Sequence, residues 1–405
     1  MEFVRANKIS YCYKSQTEDI LTDLSFSVND KSRIGLIGNN GCGKTTILRL
    51  ISGALQPHSG NIAVSPNIKI GFVPQEIALD DARRVSEYLW QSRPRFQEIK
   101  RNLENADQSS PEYANHISDY YELGIDRFEI QIEKLMAGFN LNESFMGQPL
   151  SKLSGGEKTK VALASLLLSG ADLMLLDEPT NHLEIKSLNW LEEYLQNCGI
   201  PFIAVSHDRR FLDNCVNEIW ELYDKNLTVF SGNYSFYKEY REKERRRLQA
   251  EYESQQKKIK QLKEAAQLSR QASASHQAQT GKEGNAPVYE SIGNEAKKAM
   301  MPAKRVEKRI RMMIEKEEAQ KPFVEKERRI SLHGNELKNP IVLSIERLSK
   351  SFGGHEVFQN LNLNVKNGVK MGIIGPNGCG KTTLLRILNG SEEASNGSYR
   401  WAPKA

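Results

Sequence analysis

The stretch RIGLIGNNGCGKTTILRLISG, residues 33–53, decides the fold. Ile34-Gly-Leu-Ile37 has the length and composition of a short buried strand, and from Thr46 to Ile51 the apolar residues return at helical spacing. Between them Gly38, Asn39, Asn40, Gly41, Cys42, Gly43, Lys44 and Thr45 fit the pattern of a phosphate-binding loop, with Thr46 next in line. Glycines there let backbone N–H groups turn inward around phosphate oxygens. Lys44 reaches the outer phosphates, and the Thr45 hydroxyl suits Mg²⁺. The bland reading is a chance glycine turn, and the strand-loop-helix context weighs against it.

The stretch recurs as KMGIIGPNGCGKTTLLRILNG at residues 370–390. That repeat supplies a second loop of Gly375, Pro376, Asn377, Gly378, Cys379, Gly380, Lys381, Thr382 and Thr383, and it excludes chance. Upstream, ANKISYCY ending at Tyr13 aligns with IERLSKSF ending at Phe352. Downstream, Ser59-Gly60 aligns with Asn396-Gly397. What the first copy carries after residue 65 has no counterpart before Ala405, so the expectation is one nearly complete unit and the opening part of a second.

A chain of 405 residues with 39% hydrophobic residues has room for two or three cores. No eighteen apolar residues run together and the first thirty lack a signal-peptide pattern, so a cytoplasmic location is expected. Cys12, Cys42, Cys198, Cys215 and Cys379 have no metal-ligand spacing and read as reduced thiols. The net charge of +5 is unevenly spread: residues 238–329 hold 24 Lys and Arg against 15 Asp and Glu, which suits a polyanionic partner for that segment. A solvated helix surface of mixed sign is the bland alternative.

Further motifs lie within the first copy. Leu173-Met-Leu-Leu-Asp177-Glu178 is an apolar strand ending in two acids, where Asp177 can hold the Mg²⁺ shell and Glu178 can polarise an attacking water. Leu153, Ser154, Gly155, Gly156 and Glu157 open the helical run KTKVALASLLL and offer a hydroxyl and backbone donors to an anion; read alone, they are a helix cap. His207 ends another apolar run, a place where a lone histidine is more often structural. Residues 76–150, charged and aromatic at helical spacing, read as a helical insertion.

Taken in order, Tyr13, the phosphate loop, Gln75 in FVPQE, LSGGE, LLDEPTNHLE and SHD resemble the ATP-binding cassette family over residues 1–232 and 340–405. The resemblance implies an α/β P-loop NTPase cassette with a helical subdomain, followed by the N-terminal part of a second cassette. It implies ATP and Mg²⁺ as cofactors, with cassettes paired head to tail and each ATP between the phosphate loop of one and the LSGG of the other. Tyr13 and Phe352 would then stack on adenine, Thr45, Gln75, Asp177 and Thr382 would serve the metal, and His207 would contact the γ-phosphate beside Glu178. Glu184 stands where the family carries an aspartate, which puts communication across the pair in question.

Residues 233–333 join the two copies. Leu248, Tyr252, Gln255, Ile259, Leu262 and Ala266 form one apolar seam in a run without Pro or Gly from Lys238 to Arg270, roughly 50 Å of helix. Ala299, Ala303, Val306, Ile310 and Met313 form a second, and residues 271–296 between them are small and polar, as suits an exposed tip. This long α-helical hairpin linker, Asn181-His182, and the run Phe230 to Tyr237 make the chain similar to the ABC-F subfamily. That resemblance implies a ribosome partner, with the basic hairpin reaching 23S rRNA and the tRNA region, and a role in relieving stalled translation or in protecting ribosomes from antibiotics. The long tip leans toward protection. Two alternatives stand: an ATP-binding subunit of a membrane transporter, and a ribosome binder that does not hydrolyse ATP because the second cassette is incomplete. Impaired hydrolysis is expected in either incomplete site, with a homodimer through the first cassette as a route to rescue.

Overall fold

The structure is a computed structural model describing residues 1–13, 18–79, 82–107, 109–280, 308, 312, 339–375 and 378–402. It opens with β1 (Glu2–Tyr11) and β2 (Leu21–Asn29), then β3 (Arg33–Gly38), α1 (Lys44–Ile51), β4 (Ser59–Val64) and β5 (Ile70–Val73). The expected helical insertion follows as α2 (Val85–Trp90), α3 (Pro94–Asn105), α4 (Pro111–Glu122) and α5 (Ile125–Gly138). Then come α6 (Gly155–Leu168), β6 (Leu173–Asp177), α7 (Ile185–Asn197), β7 (Phe202–Val205), α8 (Arg209–Cys215), β8 (Glu218–Tyr223) and β9 (Asn226–Ser231).

Two sheets face one another across α1. β1 pairs antiparallel with β2 and β4, whereas the larger sheet runs β5-β6-β7-β3-β8-β9, parallel except for the last hairpin. A strand covered on both faces reads as a continuous apolar run. β6 is such a strand: Leu173 and Leu175 join a core with Val4, Ile34, Leu36, Ile47 and Leu48, while Met174 and Leu176 join another with Leu135, Phe139, Val161 and Phe211. The period of two therefore ties the nucleotide-side core to the helical insertion through a single strand.

α9 (Tyr234–Thr280) is one continuous helix. It extends through residues 271–280, which the sequence assigned to the tip; that segment contains alanine and glutamine but no Gly or Pro, and so sustains helix. Leu248 and Tyr252 are half-buried and Ile259 is buried, which places these three on the expected seam; the side chains of Gln255, Leu262 and Ala266 lie outside the described residues. So do the second seam, the rest of the tip and the expected boundary at 333. A division between compact units falls between Tyr237 and Lys238, five residues past the boundary expected at 232.

The segment 339–402 repeats the opening of the chain. β10 (Ile341–Phe352) pairs antiparallel with β11 (His355–Lys366) and with β12 (Asn396–Trp401), and α10 (Lys381–Leu388) follows the second loop. Leu343, Ile345, Leu348 and Ile387 form its small core.

Candidate active site

Parallel order places the ends of β6, β7 and β3 side by side. Val205 lies opposite both Leu36 and Asp177 in the register, so the loop leaving β3 and the acids leaving β6 emerge at one carboxyl edge, where open α/β sheets hold ligands. Gly41 and Gly43 sit at φ 79° and 109°, and a Cβ on Gly43 would lie 2.7 Å from Ile20 Cγ2. Conformation favours glycine at both positions, and at Gly43 space requires it as well.

Lys44, only 9% exposed, donates to the carbonyls of Gly38 at 2.8 Å and Asn39 at 3.0 Å. Its ammonium thus curls back over the loop it follows. Thr45 Oγ1 donates to Asp177 Oδ2 at 2.7 Å, which joins the loop to the acid strand. The next residue, Glu178, is 7% exposed and held at φ 53°, with its N–H donating to Val205 O at 2.8 Å. A non-glycine residue in the left-handed region carries strain, and such strain gathers at functional sites. His207 approaches the same carboxylate: its N–H donates to Glu178 Oε2 at 3.4 Å, and Nε2 stands 3.5 Å from Oε1. Thr180 and Ser206 share a hydroxyl bond of 3.1 Å alongside.

Burial pushes both carboxyls up. For Asp177 the rise is opposed by the Thr45 hydroxyl, Arg49 and Lys44; for Glu178 it is opposed chiefly by His207 and reinforced by Asp177. A carboxylate raised in this way is a better proton acceptor.

The other expected residues are placed as follows. The Tyr13 hydroxyl shares a 3.0 Å bond with Thr46 Oγ1, and its ring stands edge-on to Tyr11, so it touches the phosphate loop directly. Ser154 caps α6: its N–H and hydroxyl both donate to Glu157 Oε2, at 2.8 and 2.7 Å, and Leu153 is buried behind them. Gly155 and Gly156 form the first turn of that helix. Gln75 follows β5 and is exposed; Asn40 and Gly41 are exposed at the loop crest. In the second copy Lys381 donates to Gly375 O at 2.8 Å, with Gly378 and Gly380 at φ 80° and 92° and Thr382 and Thr383 in the first turn of α10. Lys350 Nζ lies 4.5 Å from the centre of the Phe352 ring. Pro376 and Asn377 lie outside the described residues. The sequence reading gave no role to Thr180 and Ser206, although both lie within motifs it quoted, nor to the buried Lys160.

The ABC transporter family model matches residues 21–181 and 358–405, and a second model described as ABC transporter matches 220–283. The chain is 36% identical over 404 residues to the ribosome protection protein VmlR of Bacillus subtilis, covering 100% of this chain and 64% of that protein. It is 32% identical over 409 residues to ABC transporter F family member 2 of Arabidopsis thaliana, covering 97% and 56%. The chain belongs to the ABC transporter family, in its F branch. A third ABC-F relative, the energy-dependent translational throttle protein EttA of Haemophilus influenzae, is 32% identical over 394 residues, covering 94% of this chain and 65% of its own length. The chain thus spans less than two thirds of the length of these ABC-F relatives. Among the described residues no helix is long and apolar enough to cross a membrane.

Proposed function

We propose that this ABC-F chain binds Mg-ATP at the edge formed by β3, β6 and β7, hydrolyses it, and uses the cycle on the ribosome. The observation that carries the reading is the Thr45–Asp177–Glu178–His207 constellation, in which a loop hydroxyl and two buried acids meet beside a histidine. Thr45 and Asp177 present hard oxygen ligands, and an exposed Gln75 is free to add a third, a set that fits Mg²⁺. Held by these oxygens, Mg²⁺ would supply the positive charge that offsets the charge of the transferring phosphoryl group.

The chain's own residues do the rest. The loop N–H groups and Lys44 orient the phosphates, Lys44 exchanging its two carbonyl partners for phosphate oxygens. Glu178 takes a proton from water at its carboxylate, and His207, beside that carboxylate, faces the γ-phosphate. Tyr13 and Phe352 stack on adenine in the two copies. Ser154 and the first turn of α6 answer the phosphate of an apposed cassette, which a second chain supplies when two first cassettes pair.

The ribosome enters through two supports. VmlR and EttA carry ribosomal and translational names, and α9 holds 11 Lys and Arg against 6 Asp and Glu, the balance that attracts RNA phosphates. Ribosome protection is the favoured role, since the relative named for it is 36% identical. Phosphate release by the purified chain, with and without ribosomes, is the test. Ribosomes should stimulate turnover, increased salt should reduce cosedimentation, and Glu178→Gln should lower turnover by about 10²–10⁴-fold while preserving ATP binding. Turnover indifferent to Glu178, or ribosome binding indifferent to salt, would overturn the reading.

A further inference from the structure

We propose that Glu184 is a positioning residue that fastens the turn carrying Glu178 to α6, through a buried ion pair with Lys160. The proposal rests on the reading of Glu178 as the water-activating carboxylate. Glu184 Oε1 lies 2.9 Å from Lys160 Nζ, and the two side chains are 9% and 5% exposed. The same oxygen accepts from Asn140 Nδ2 at 3.2 Å and lies 3.5 Å from Ser187 Oγ, whose hydroxyl donates to Phe139 O at 3.1 Å. Three elements thus converge on one atom: Asn140 follows α5 of the helical insertion, Lys160 lies on α6 and Ser187 on α7. The Lys160 hydrogen bond, ahead of the opposing effect of burial, holds the Glu184 carboxyl below its ordinary range.

Glu184 occupies the cap position of α7, yet its side chain makes no bond to that helix's backbone. The short carboxylate of an aspartate at a cap takes the free N–H groups of the first turn. The longer Glu184 side chain reaches Lys160 instead and links two elements rather than capping one.

The link matters because of what lies upstream. Glu178 and His182 both adopt left-handed backbone, at φ 53° and 64°, and the Asn181 N–H donates back to Glu178 O at 3.1 Å. A short, tightly bonded turn with fixed ends passes displacement of one end to the other. One end is Glu178, hydrogen-bonded to β7; the other is Glu184. Lys160 stands six residues from Ser154, about 9 Å along a rigid helix. An anion engaged at Ser154 that shifts α6 therefore shifts Lys160, the end of the turn, and the water-activating carboxylate. An aspartate at 184 would fall short of Lys160 by about 1.5 Å.

A buried pair also stabilises the fold, and removing one partner strands a charge. The experiment separates the roles with four variants of the full chain: Glu184→Gln, Glu184→Asp, Lys160→Met, and Glu184→Gln combined with Lys160→Met. Steady-state hydrolysis, Tm and amide hydrogen exchange from Glu178 to Leu183 are read on each. Glu184→Gln should lower kcat by about 10–100-fold with the KM for ATP within about twofold, the signature of a misplaced reacting group. Its turn amides should exchange faster, and Glu184→Asp should fall between it and the parent. The double variant should recover Tm without recovering turnover or protection. Recovery of turnover along with Tm would reduce the pair to a structural contact and overturn the proposal. Exchange is readable even if the parent hydrolyses nothing: an inactive parent counts against the functional reading, whereas unchanged protection in Glu184→Gln counts against the clamp.

Discussion

The phosphate loop occurs twice in nearly the same sequence and in two different settings. In the first copy β3 lies between β7 and β8, and Ile34 and Leu36 are fully buried. In the second, residues 371–375 form no strand among the described residues, and Ile373 and Ile374 are 42% and 83% exposed. Where both loops are described they differ little. Lys44 and Lys381 reach the same carbonyl position at 2.8 Å, and Gly43 and Gly380 precede their helices in the same left-handed conformation. The glycine pattern and the following helix therefore form the cradle locally, whereas the strand beneath it depends on parallel neighbours to pair its backbone groups. Those neighbours also bring the acids. Asp177, Glu178 and His207 stand beside the first loop only because β6 and β7 do.

The largest effect that would test this contrast is on nucleotide affinity. Lys44→Ala should weaken binding of a fluorescent ATP analogue by about 10–100-fold, the worth of a charge-assisted hydrogen bond set, while Lys381→Ala should cost less because its loop has a looser, wetter setting. Equal losses from the two substitutions would break the comparison.

A smaller effect separates the thiols. Cys42 is half-buried and burial raises its pKa, against the pull of Lys44, while Cys379 is exposed. Maleimide should label Cys379 about tenfold faster, since the thiolate is the reactive form. Mass spectrometry of the two peptides reads the ratio, and ATP should protect Cys42 more. Equal rates would show that the settings differ less than the geometry implies.

The smallest concerns stability. Burial raises the folded pKa of Glu178 above its ordinary 4.5, so the folded state holds that proton more tightly than the unfolded chain. The stabilisation this provides is fully present below 4.5 and is lost as pH rises through the folded value. Above that window a charged, buried carboxylate burdens the fold. Glu178→Gln should then raise Tm by roughly 2–4 °C near neutral pH, the gap closing on acidification. A Tm unchanged or lowered at neutral pH would contradict the burial argument.

Much of this was legible in the sequence because its carriers are local. The loop glycines, the two acids ending an apolar strand, and the Ser154–Glu157 cap need only their immediate neighbours to be read. Strand order was not legible, since the apolar runs at β3, β6 and β7 look alike and only packing ranks them. Lys160 was invisible for a related reason: in KTKVALASLLL it reads as one more surface charge, and its burial arises from the convergence of α5, α6 and α7. Tyr13 was expected beside adenine, yet nothing in its sequence context announces that its hydroxyl reaches Thr46, thirty-three positions away. The length of α9 was underestimated because polar residues were taken for a tip, although alanine and glutamine carry a helix well.

α9 also has a mechanical side. Its root is held firmly: the Ser235 N–H and hydroxyl both donate to Asp213, at 2.6 and 2.7 Å, and the Tyr237 hydroxyl donates to Glu221 at 2.6 Å. Asp213 lies on α8, the helix that begins two residues after His207. Forty-seven helical residues make a rod of roughly 70 Å, so a tilt of about 5° at that root carries the far end through roughly 6 Å. A helix of that length is a lever in itself, in which a small change of direction in the first turn is magnified many-fold at the last.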